Sequence, residues 1–188
     1  MKKLQYYSKL PLSEVCKILD NDGIIVYPTD TVYGFGCNAN NILAIKKLNK
    51  IKNRTGPMSI IAPNITVALS WMSISSQDKS NAQRILGKSQ TIIVPTKKKI
   101  CSNLIKGDNN SIGIRIPNHP FCKNIALAYT SPITTTSVNR TGKKPLTNPK
   151  EIENEFYNEI DLIIEDGIIK GKPSKIYLFQ NGNWKKLR

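Results

Sequence analysis

Residues 28–37 read P-T-D-T-V-Y-G-F-G-C and directly follow an apolar run at residues 23–27. An apolar run followed by a turn rich in hydroxyls and glycines is how an α/β fold presents backbone N–H groups to a ligand. Gly34 and Gly36 remove side chains where a ligand could approach closely. The string therefore predicts a buried strand leading into a ligand-binding turn, with a plain strand that ends in a polar turn as the alternative.

Outward from this string, apolar segments alternate with segments of helical periodicity. We predict helices at residues 13–21, 41–51, 67–72, 78–86 and 119–129, with Ser13 as the N-cap of the first helix and Gly23 closing it. In the second helix, Ile42, Ile45, Leu48 and Ile51 are predicted to face the core. We predict strands at residues 24–27, 58–62, 91–94, 112–116, 133–135, 162–164 and 176–179. This alternation indicates the α/β class, with a mixed sheet and flanking helices.

Length and charge limit the possible functions. A chain of 188 residues is expected to form one domain with a sizeable core. Its 28 Lys and Arg against 13 Asp and Glu give a net charge of +15, which favours acidic partners such as nucleotides, tRNA or acidic protein surfaces. For any single lysine, a solvated surface position is the alternative.

The cysteines do not form a metal-binding pattern. Cys16, Cys37, Cys101 and Cys122 are widely separated, and His119 is the one histidine of the sequence, so we expect no zinc site. The opening residues are polar and basic rather than a signal peptide. No apolar stretch approaches the roughly 20 residues that span a bilayer. We therefore expect a cytoplasmic protein with reduced thiols.

Two further short patterns are candidates for anion binding. Lys52 and Arg54 form K-N-R after the predicted second helix, from which two cations would project on a loop. Ser137 and Asn139 form S-V-N much later in the chain. The tetrapeptide N-R-T-G occurs at residues 53–56 and again at 139–142, for which chance in an Asn-rich chain is the alternative. Alone, a K-x-R pair is usually solvated surface charge.

Together these segments resemble the YrdC-like family of threonylcarbamoyl-AMP synthases. Residues 28–37 match the family's P-T-D/E-T-x-Y-G-L-G with Phe35 in place of Leu, and K-x-R and S-x-N follow in the family's order. Residues 134–142 are similar to T-S-A-N-x-S-G, residues 111–117 to T-V-A-V-R-x-P, residues 173–176 to P-S-T-V, and residues 184–188 to the terminal R-x-G region. The resemblance runs from about residue 12 to the last residue.

The resemblance implies one YrdC-like domain over residues 1–188, with a twisted mixed sheet and helices around a basic concave cleft. It implies the condensation of L-threonine, bicarbonate or CO2, and ATP into threonylcarbamoyl-AMP and pyrophosphate, for threonylcarbamoyladenosine modification of tRNA. ATP would be a substrate accompanied by Mg²⁺, and no resident metal is expected. A downstream tRNA threonylcarbamoyl transferase would use the product, and affinity for tRNA or other RNA is a further expectation.

The resemblance also assigns residues. It implies that Lys52 and Arg54 are the catalytic cations, which stabilise the added charge of phosphoryl transfer. Threonine is expected at Thr31, Arg115, Thr135 and Ser174, with Arg115 forking its carboxylate. ATP is expected at Lys52, Arg54, Ser111, Ser137, Asn139, Pro145 and Arg188. For the hydroxyls, a turn cap is the alternative. Arg115, flanked by Ile114 and Ile116, needs an anionic partner.

The chain departs from the family pattern at two places. Where many members have R-P-x-x-K/N-P-L, residues 54–60 read R-T-G-P-M-S-I, so Met58 replaces a polar or cationic ATP contact. Several members place a histidine near threonine a few residues later, where this chain has Pro63. The local ATP and threonine contacts are therefore expected to differ.

Two other functions are compatible with the sequence. A non-catalytic RNA-binding module would use the +15 net charge to bind phosphates, although an aromatic content of 7% argues against base stacking. A carbamoyl-adenylate-handling module, as in hydrogenase maturation proteins, is the third reading. Those proteins are far longer and carry further domains.

Overall fold

The structure is a computed structural model that describes residues 1–5, 12–97 and 99–188. The strands are β1 Lys2–Gln5, β2 Ile25–Tyr27, β3 Gly34–Gly36, β4 Ser59–Ile61, β5 Thr91–Pro95, β6 Ser111–Arg115, β7 Ile133–Ser137, β8 Leu162–Glu165, β9 Ile176–Gln180 and β10 Asn183–Lys186. The helices are α1 Leu12–Asp20, α2 Ile42–Lys52, α3 Ile65–Trp71, α4 Ser76–Leu86, α5 Pro120–Ala128 and α6 Pro149–Phe156, with short 3-10 helices at Asn103–Ile105 and Asp108–Asn110.

The strands of the described chain form one ten-stranded mixed sheet in the order β1-β8-β2-β3-β7-β4-β6-β5-β9-β10. β8 pairs in parallel with β1 and β2, β4 with β6, and β5 with β9. The remaining neighbours pair in antiparallel fashion. The predicted mixed α/β sheet with flanking helices is thus confirmed.

Two hydrophobic clusters hold the helices against the sheet. Ile60 belongs to a cluster with buried residues of α2, α4 and α6, whereas the next residue, Ile61, belongs to a second cluster with α1 and α5. Successive residues of a strand point to opposite faces, so helices cover the sheet from both sides. No helix within the described ranges is long and apolar enough to cross a membrane.

The first two helices correct several details of the prediction. α1 already includes Leu12, so Ser13 lies inside the helix and is not its N-cap. Asp22, with φ 57°, takes the left-handed conformation expected at Gly23. Gly23 is required for a different reason, because a Cβ there would lie 2.4 Å from the carbonyl oxygen of Ile18. Ile42 is 53% exposed and is not a core residue, because the buried side of α2 runs through Ala44, Ile45, Leu48 and Ile51.

Among the strands and α-helices of the described residues, four were not predicted, namely β1, β3, α6 and β10; the two 3-10 helices were not predicted either. β3 lies within the string taken for a turn, and its two glycines give it little intrinsic strand preference. The sheet requires Gly36, since a Cβ there would lie 2.7 Å from the ring of Tyr27 in the neighbouring strand. Gly36 therefore makes room for a side chain of the protein and not for a ligand. The other predicted helices and strands are present with ends shifted by a few residues.

Candidate functional site

A pocket of about 410 Å³ collects most of the residues singled out in the sequence, and its volume is within the range of small-molecule sites. Thr31, Lys52, Arg54, Ser111, Arg115, Thr135, Ser137, Asn139, Ser174 and Arg188 all line it. Pro145 lies outside this lining. Sequence positions as far apart as Thr31 and Arg188 are therefore neighbours at one site.

The turn after β2 forms one wall of the pocket. Thr29 Oγ1 accepts hydrogen bonds from the backbone N–H of Thr31, at 3.1 Å, and of Val32, at 3.3 Å, and donates to the carbonyl of Val32 at 2.6 Å. A threonine hydroxyl that bonds nearby backbone groups in this way fixes a tight turn. This local network sets the positions of Asp30 and Thr31.

Lys52 joins the K-x-R and S-x-N patterns. It is the last residue of α2 and only 3% exposed, so the expectation that it projects from a loop is wrong. Its Nζ donates to the carbonyl of Ser137 at 2.7 Å and to Asn139 Oδ1 at 2.8 Å. Burial, and then repulsion by Arg54, lowers the pKa of Lys52 to about 8. Lys52 is therefore held at the pocket by two neutral acceptors and has no carboxylate partner among the described residues, so its positive charge is only weakly stabilised.

Arg54 follows α2 and reaches the pocket with few protein partners. Its Nη2 lies 3.5 Å from Thr136 Oγ1, and its Nε is buried without a hydrogen-bond partner. Burial lowers the pKa of this guanidinium. Because a buried unpaired N–H is costly, Arg54 is suited to an anion entering the pocket.

The second N-R-T-G segment, residues 139–142, lies beside the first, but its arginine, Arg140, has a structural role. Arg140 Nη1 donates to the carbonyl of Ile51 at 2.6 Å and to Glu159 Oε2 at 3.0 Å. The N–H of Thr141 donates to the carbonyl of Lys52 at 3.1 Å. Arg140 and Thr141 therefore satisfy the carboxyl end of α2 and secure the base from which Arg54 extends.

Arg115 is a buried cation with a protein counter-ion. It is 6% exposed, and its Nη2 lies 2.8 Å from Asp30 Oδ1. Its Nε is also buried without a partner. Asp30 is thus an anionic partner of the kind that the sequence required, although it was not predicted as a site residue. Four of the five guanidinium N–H groups are not used in this bond.

Arg188 lies at the Arg115 end of the pocket. Its Nε donates to the carbonyl of Ser174 at 3.0 Å, and Ser174 Oγ lies 2.8 Å from Thr91 Oγ1. Burial, and then repulsion by Arg115, lowers the pKa of Arg188. Predicted as an ATP contact, Arg188 is therefore next to residues predicted for threonine.

A row of small polar residues forms the floor. Ser59 is paired with Thr135 on one side and with Gly113 on the other. A Cβ on Gly113 would lie 2.1 Å from Ser59 Oγ, so the glycine leaves room for this hydroxyl. Ser59 was missed because its importance depends on this register. Of the two departures, Met58 lines the same pocket and Pro63 lines a separate groove.

A loop at residues 166–175, which we call the strap, closes one side of the pocket. It connects β8 to β9, which lie far apart in the sheet. Tyr33 Oη accepts from the N–H of Asp166 and donates to the carbonyl of Gly167, both at 2.8 Å. A Cβ on Gly171 would lie 1.7 Å from the carbonyl oxygen of Thr31. The strap is thus fitted closely onto the turn after β2.

The lining has four cations and no Asp or Glu side chain. In the described part of the chain no three His, Cys, Asp or Glu side chains are grouped to hold a metal ion. Burial raises the pKa of Cys37 to about 12 and that of Cys122 further, so neither is an activated thiol. The pocket is suited to bind anions and to stabilise developing negative charge.

Comparisons with known proteins identify the family of this chain. The Sua5/YciO/YrdC family model, described as telomere recombination, matches residues 17–188. A threonylcarbamoyl-AMP synthase of Psychromonas ingrahamii is 29% identical over 191 aligned residues, which cover 94% of this chain and 95% of the relative.

Solved structures share the fold. P. abyssi Sua5 in complex with L-threonine matches with a TM-score of 0.87 at 22% identity, over 100% of this chain and 56% of that protein. This chain thus spans just over half the length of P. abyssi Sua5. E. coli YciO matches with a TM-score of 0.85 at 20% identity, over 100% of this chain and 93% of YciO. At these identities the likeness establishes the fold.

Proposed function

Because the chain belongs to the Sua5/YciO/YrdC family, we propose that it is an L-threonylcarbamoyladenylate synthase, a nucleotidyltransferase. It would condense L-threonine, bicarbonate or CO2, and ATP to threonylcarbamoyl-AMP and pyrophosphate. The observation that carries this proposal is the presence of two separate cation pairs, Lys52 with Arg54 and Arg115 with Arg188, in one pocket, where the one carboxylate of the described residues paired with a cation is Asp30, at Arg115. Two bound anions, a polyphosphate and an amino acid, match this arrangement.

The Lys52–Arg54 pair is proposed to hold the triphosphate. In the reaction the amine of threonine captures CO2 as a carbamate, whose oxygen attacks the α-phosphate while pyrophosphate leaves. Such a transfer depends on positioning and on stabilising phosphoryl charge rather than on a protein nucleophile. Arg54 Nε, buried without a partner, and Lys52 Nζ are the donors that we assign to this charge. Ser111, Ser137 and Asn139 would complete the ATP contacts.

The Arg115 end is proposed to hold threonine. Arg115 would bind the carboxylate through its unused donors, and Thr31, Thr135 and Ser174 would surround the rest of the amino acid. Arg188 is next to Arg115 and Ser174, so we assign it to the junction where the ATP phosphates would meet the threonine carbamate. Pro145 keeps only an indirect role in this proposal.

Mg²⁺ would enter with ATP rather than occupy a protein site. The lining offers hydroxyls but no carboxylate, and Mg²⁺ in nucleotide sites is held largely by phosphates and water. The residues of the pocket therefore do not build a resident magnesium site. We derive no step of the reaction through this ion.

The proposal includes a cellular setting. Residues 1–188 would act as one domain whose basic cleft is the pocket described above. Threonylcarbamoyl-AMP is a reactive mixed anhydride, so a tRNA threonylcarbamoyl transferase in the cytoplasm would have to use it promptly. The net charge of +15 supports a weak affinity for tRNA as well.

The decisive experiment is mass-spectrometric detection of threonylcarbamoyl-AMP from purified protein, ATP, Mg²⁺, bicarbonate and threonine. Product that requires all of the added substrates would support the synthase. Melting temperature separates it from an RNA-binding module, because ATP with threonine should stabilise only a protein that binds them. Stabilisation by RNA alone, without any product, would contradict the proposal. Carbamoyl-AMP formed from carbamoyl phosphate and ATP, with no threonylcarbamoyl-AMP from threonine and bicarbonate, would favour the carbamoyl-adenylate module.

Replacing Arg115 by lysine should separate the two substrates. Lysine keeps the positive charge but loses the planar fork, so we expect KM for threonine to rise about tenfold or more while KM for ATP changes much less. Steady-state pyrophosphate release, with each substrate varied in turn, measures both constants. Equal effects on the two substrates would remove Arg115 from the carboxylate site.

The affinity for ATP should fall as pH rises through about 8, the pKa of Lys52. Lys52 is positively charged below this value and neutral above it, and bound phosphates would hold its proton. The Kd of ATP, measured by calorimetry without threonine, should therefore increase by up to about tenfold per pH unit above the free pKa. Lys52→Met should bind weakly with little pH dependence, whereas Lys50→Met, exposed on the same helix, should keep the wild-type profile. An unchanged Kd across this range would contradict the assignment.

A further inference from the structure

Among the four cations of the pocket, Arg115 differs from the others in its partner. Its Nη2 is ion-paired with Asp30 Oδ1 at 2.8 Å, and the two side chains are 7% and 18% exposed. Within the described residues, no carboxylate forms an ion pair with Lys52, Arg54 or Arg188. The protein therefore supplies a counter-ion at one end of the pocket and leaves the other end fully positive.

Asp30 is held where it is by its own turn. Thr29 Oγ1, on the residue before Asp30, accepts hydrogen bonds from the N–H groups of Thr31 and Val32, the two residues after it. Gly171 of the strap packs on the carbonyl of Thr31. Because the backbone on which Asp30 stands is fixed in this way, its carboxylate is placed 2.8 Å from Arg115 Nη2 and can orient the guanidinium.

The pairing also leaves Arg115 with unused donors. Only Nη2 contacts Asp30, and the buried Nε has no partner. A monodentate ion pair thus orients the guanidinium and keeps its remaining N–H groups for a second anion. The negative charge of Asp30 reduces the attraction of this end for a polyphosphate, since a nearby opposite charge offsets the field of a buried cation.

We propose that Asp30 is a positioning residue that orients Arg115 for the carboxylate of the amino acid and reserves this end of the pocket for a singly charged group. Phosphates are thereby directed to Lys52 and Arg54. This inference rests on the proposed synthase function. It extends that function by explaining why the carboxylate of the amino acid and the phosphates of ATP would bind at different ends of one pocket.

The two roles of Asp30 can be tested with three substitutions. Asp30→Ala removes the partner of Arg115, so KM for threonine should rise roughly ten- to a hundredfold, the scale of misplacing a binding group by about 1 Å, with KM for ATP changed less than about threefold. Asp30→Glu, which retains a carboxylate, should restore most of the threonine affinity. Asp30→Asn keeps an acceptor oxygen but removes the charge. In this variant the inhibition constant of inorganic phosphate against threonine should be at least about tenfold lower than in the wild type.

Glu151→Gln is the matched control, because it removes one carboxylate from an exposed position of α6 and should leave every constant unchanged. If Asp30→Ala melts before assay temperature, Asp30→Asn, close in shape to the native side chain, decides the question through phosphate competition. Unchanged threonine KM in Asp30→Ala, or unchanged phosphate inhibition in Asp30→Asn, with an active wild type, would overturn the role of Asp30 alone. A wild type that neither binds threonine nor releases pyrophosphate would overturn the proposed function and this inference together.

Discussion

Valine should be used up to about 10⁴-fold less efficiently than threonine, measured as kcat/KM for pyrophosphate release. The end of the pocket that we propose for the amino acid is lined by hydroxyls, namely those of Thr31, Ser59, Thr135 and Ser174. A site built around a substrate hydroxyl rejects the analogue that lacks it, because polar groups of the protein are then buried without partners. The methyl group that replaces the hydroxyl in valine cannot satisfy them.

Serine as a substrate distinguishes a pocket that recognises the side-chain hydroxyl from one that recognises only the shape of the side chain. It keeps the hydroxyl and loses one methyl group, so its discrimination should be only about ten- to two-hundredfold. The expected order of kcat/KM is therefore threonine, serine, valine. Pyrophosphate release with each amino acid at matched ATP gives this order directly. Valine reacting as well as serine would show that the pocket recognises shape alone.

Arg54→Ala should lower kcat for pyrophosphate formation by about a hundredfold or more, the usual scale for one preorganised charge contact in a transition state. Arg54 Nε is buried without a protein partner, and its Nη2 has only a long contact of 3.5 Å to Thr136. Its loss therefore breaks little of the folded structure. The melting temperature should change by only a few degrees, which distinguishes lost catalysis from unfolding.

Arg84→Ala provides the charge-matched control for Arg54. Arg84 is an exposed residue of α4 that contacts Asn81 within its own helix. Its removal lowers the net charge equally without touching the pocket, so turnover should remain at the wild-type level. If Arg54→Ala retains near-normal turnover, the guanidinium does not contact the transferred phosphate. A comparable loss in both variants would indicate that overall charge, rather than position, is what matters.

The sequence was sufficient for the sheet class and for the four cations of the pocket, because both are marked by local patterns. Buried strands show as apolar runs, and Lys52, Arg54 and Arg115 stand in short strings whose order is typical of one family. The strand β3 escaped detection because Gly34 and Gly36 have little strand preference. Its formation depends on pairing with β2 on one side and, on the other, with β7, which lies much later in the sequence.

The contacts between the pocket residues could not be predicted in the same way. Lys52 meets Asn139, and Arg115 meets Asp30, across 87 and 85 positions of sequence. These pairs follow from the strand order, which no local signal specifies. Ser59 likewise lies on the floor of the pocket because the register of β4 places it between Gly113 of β6 and Thr135 of β7. The burial of Lys52, and with it the lowered pKa, also depends on how the end of α2 docks onto the sheet.

The span of the pocket along the chain has a consequence for biosynthesis. Its lining begins at Thr29 and includes Arg188, so a partly synthesised polypeptide on the ribosome has no finished binding site. Sheets built from such distant pairings fold slowly, because long loops must close before the contacts form. We therefore expect ligand binding to appear only once the final hairpin has joined the sheet. Acquisition of affinity during translation would thus report the pairing of β9 with β5 and with β10.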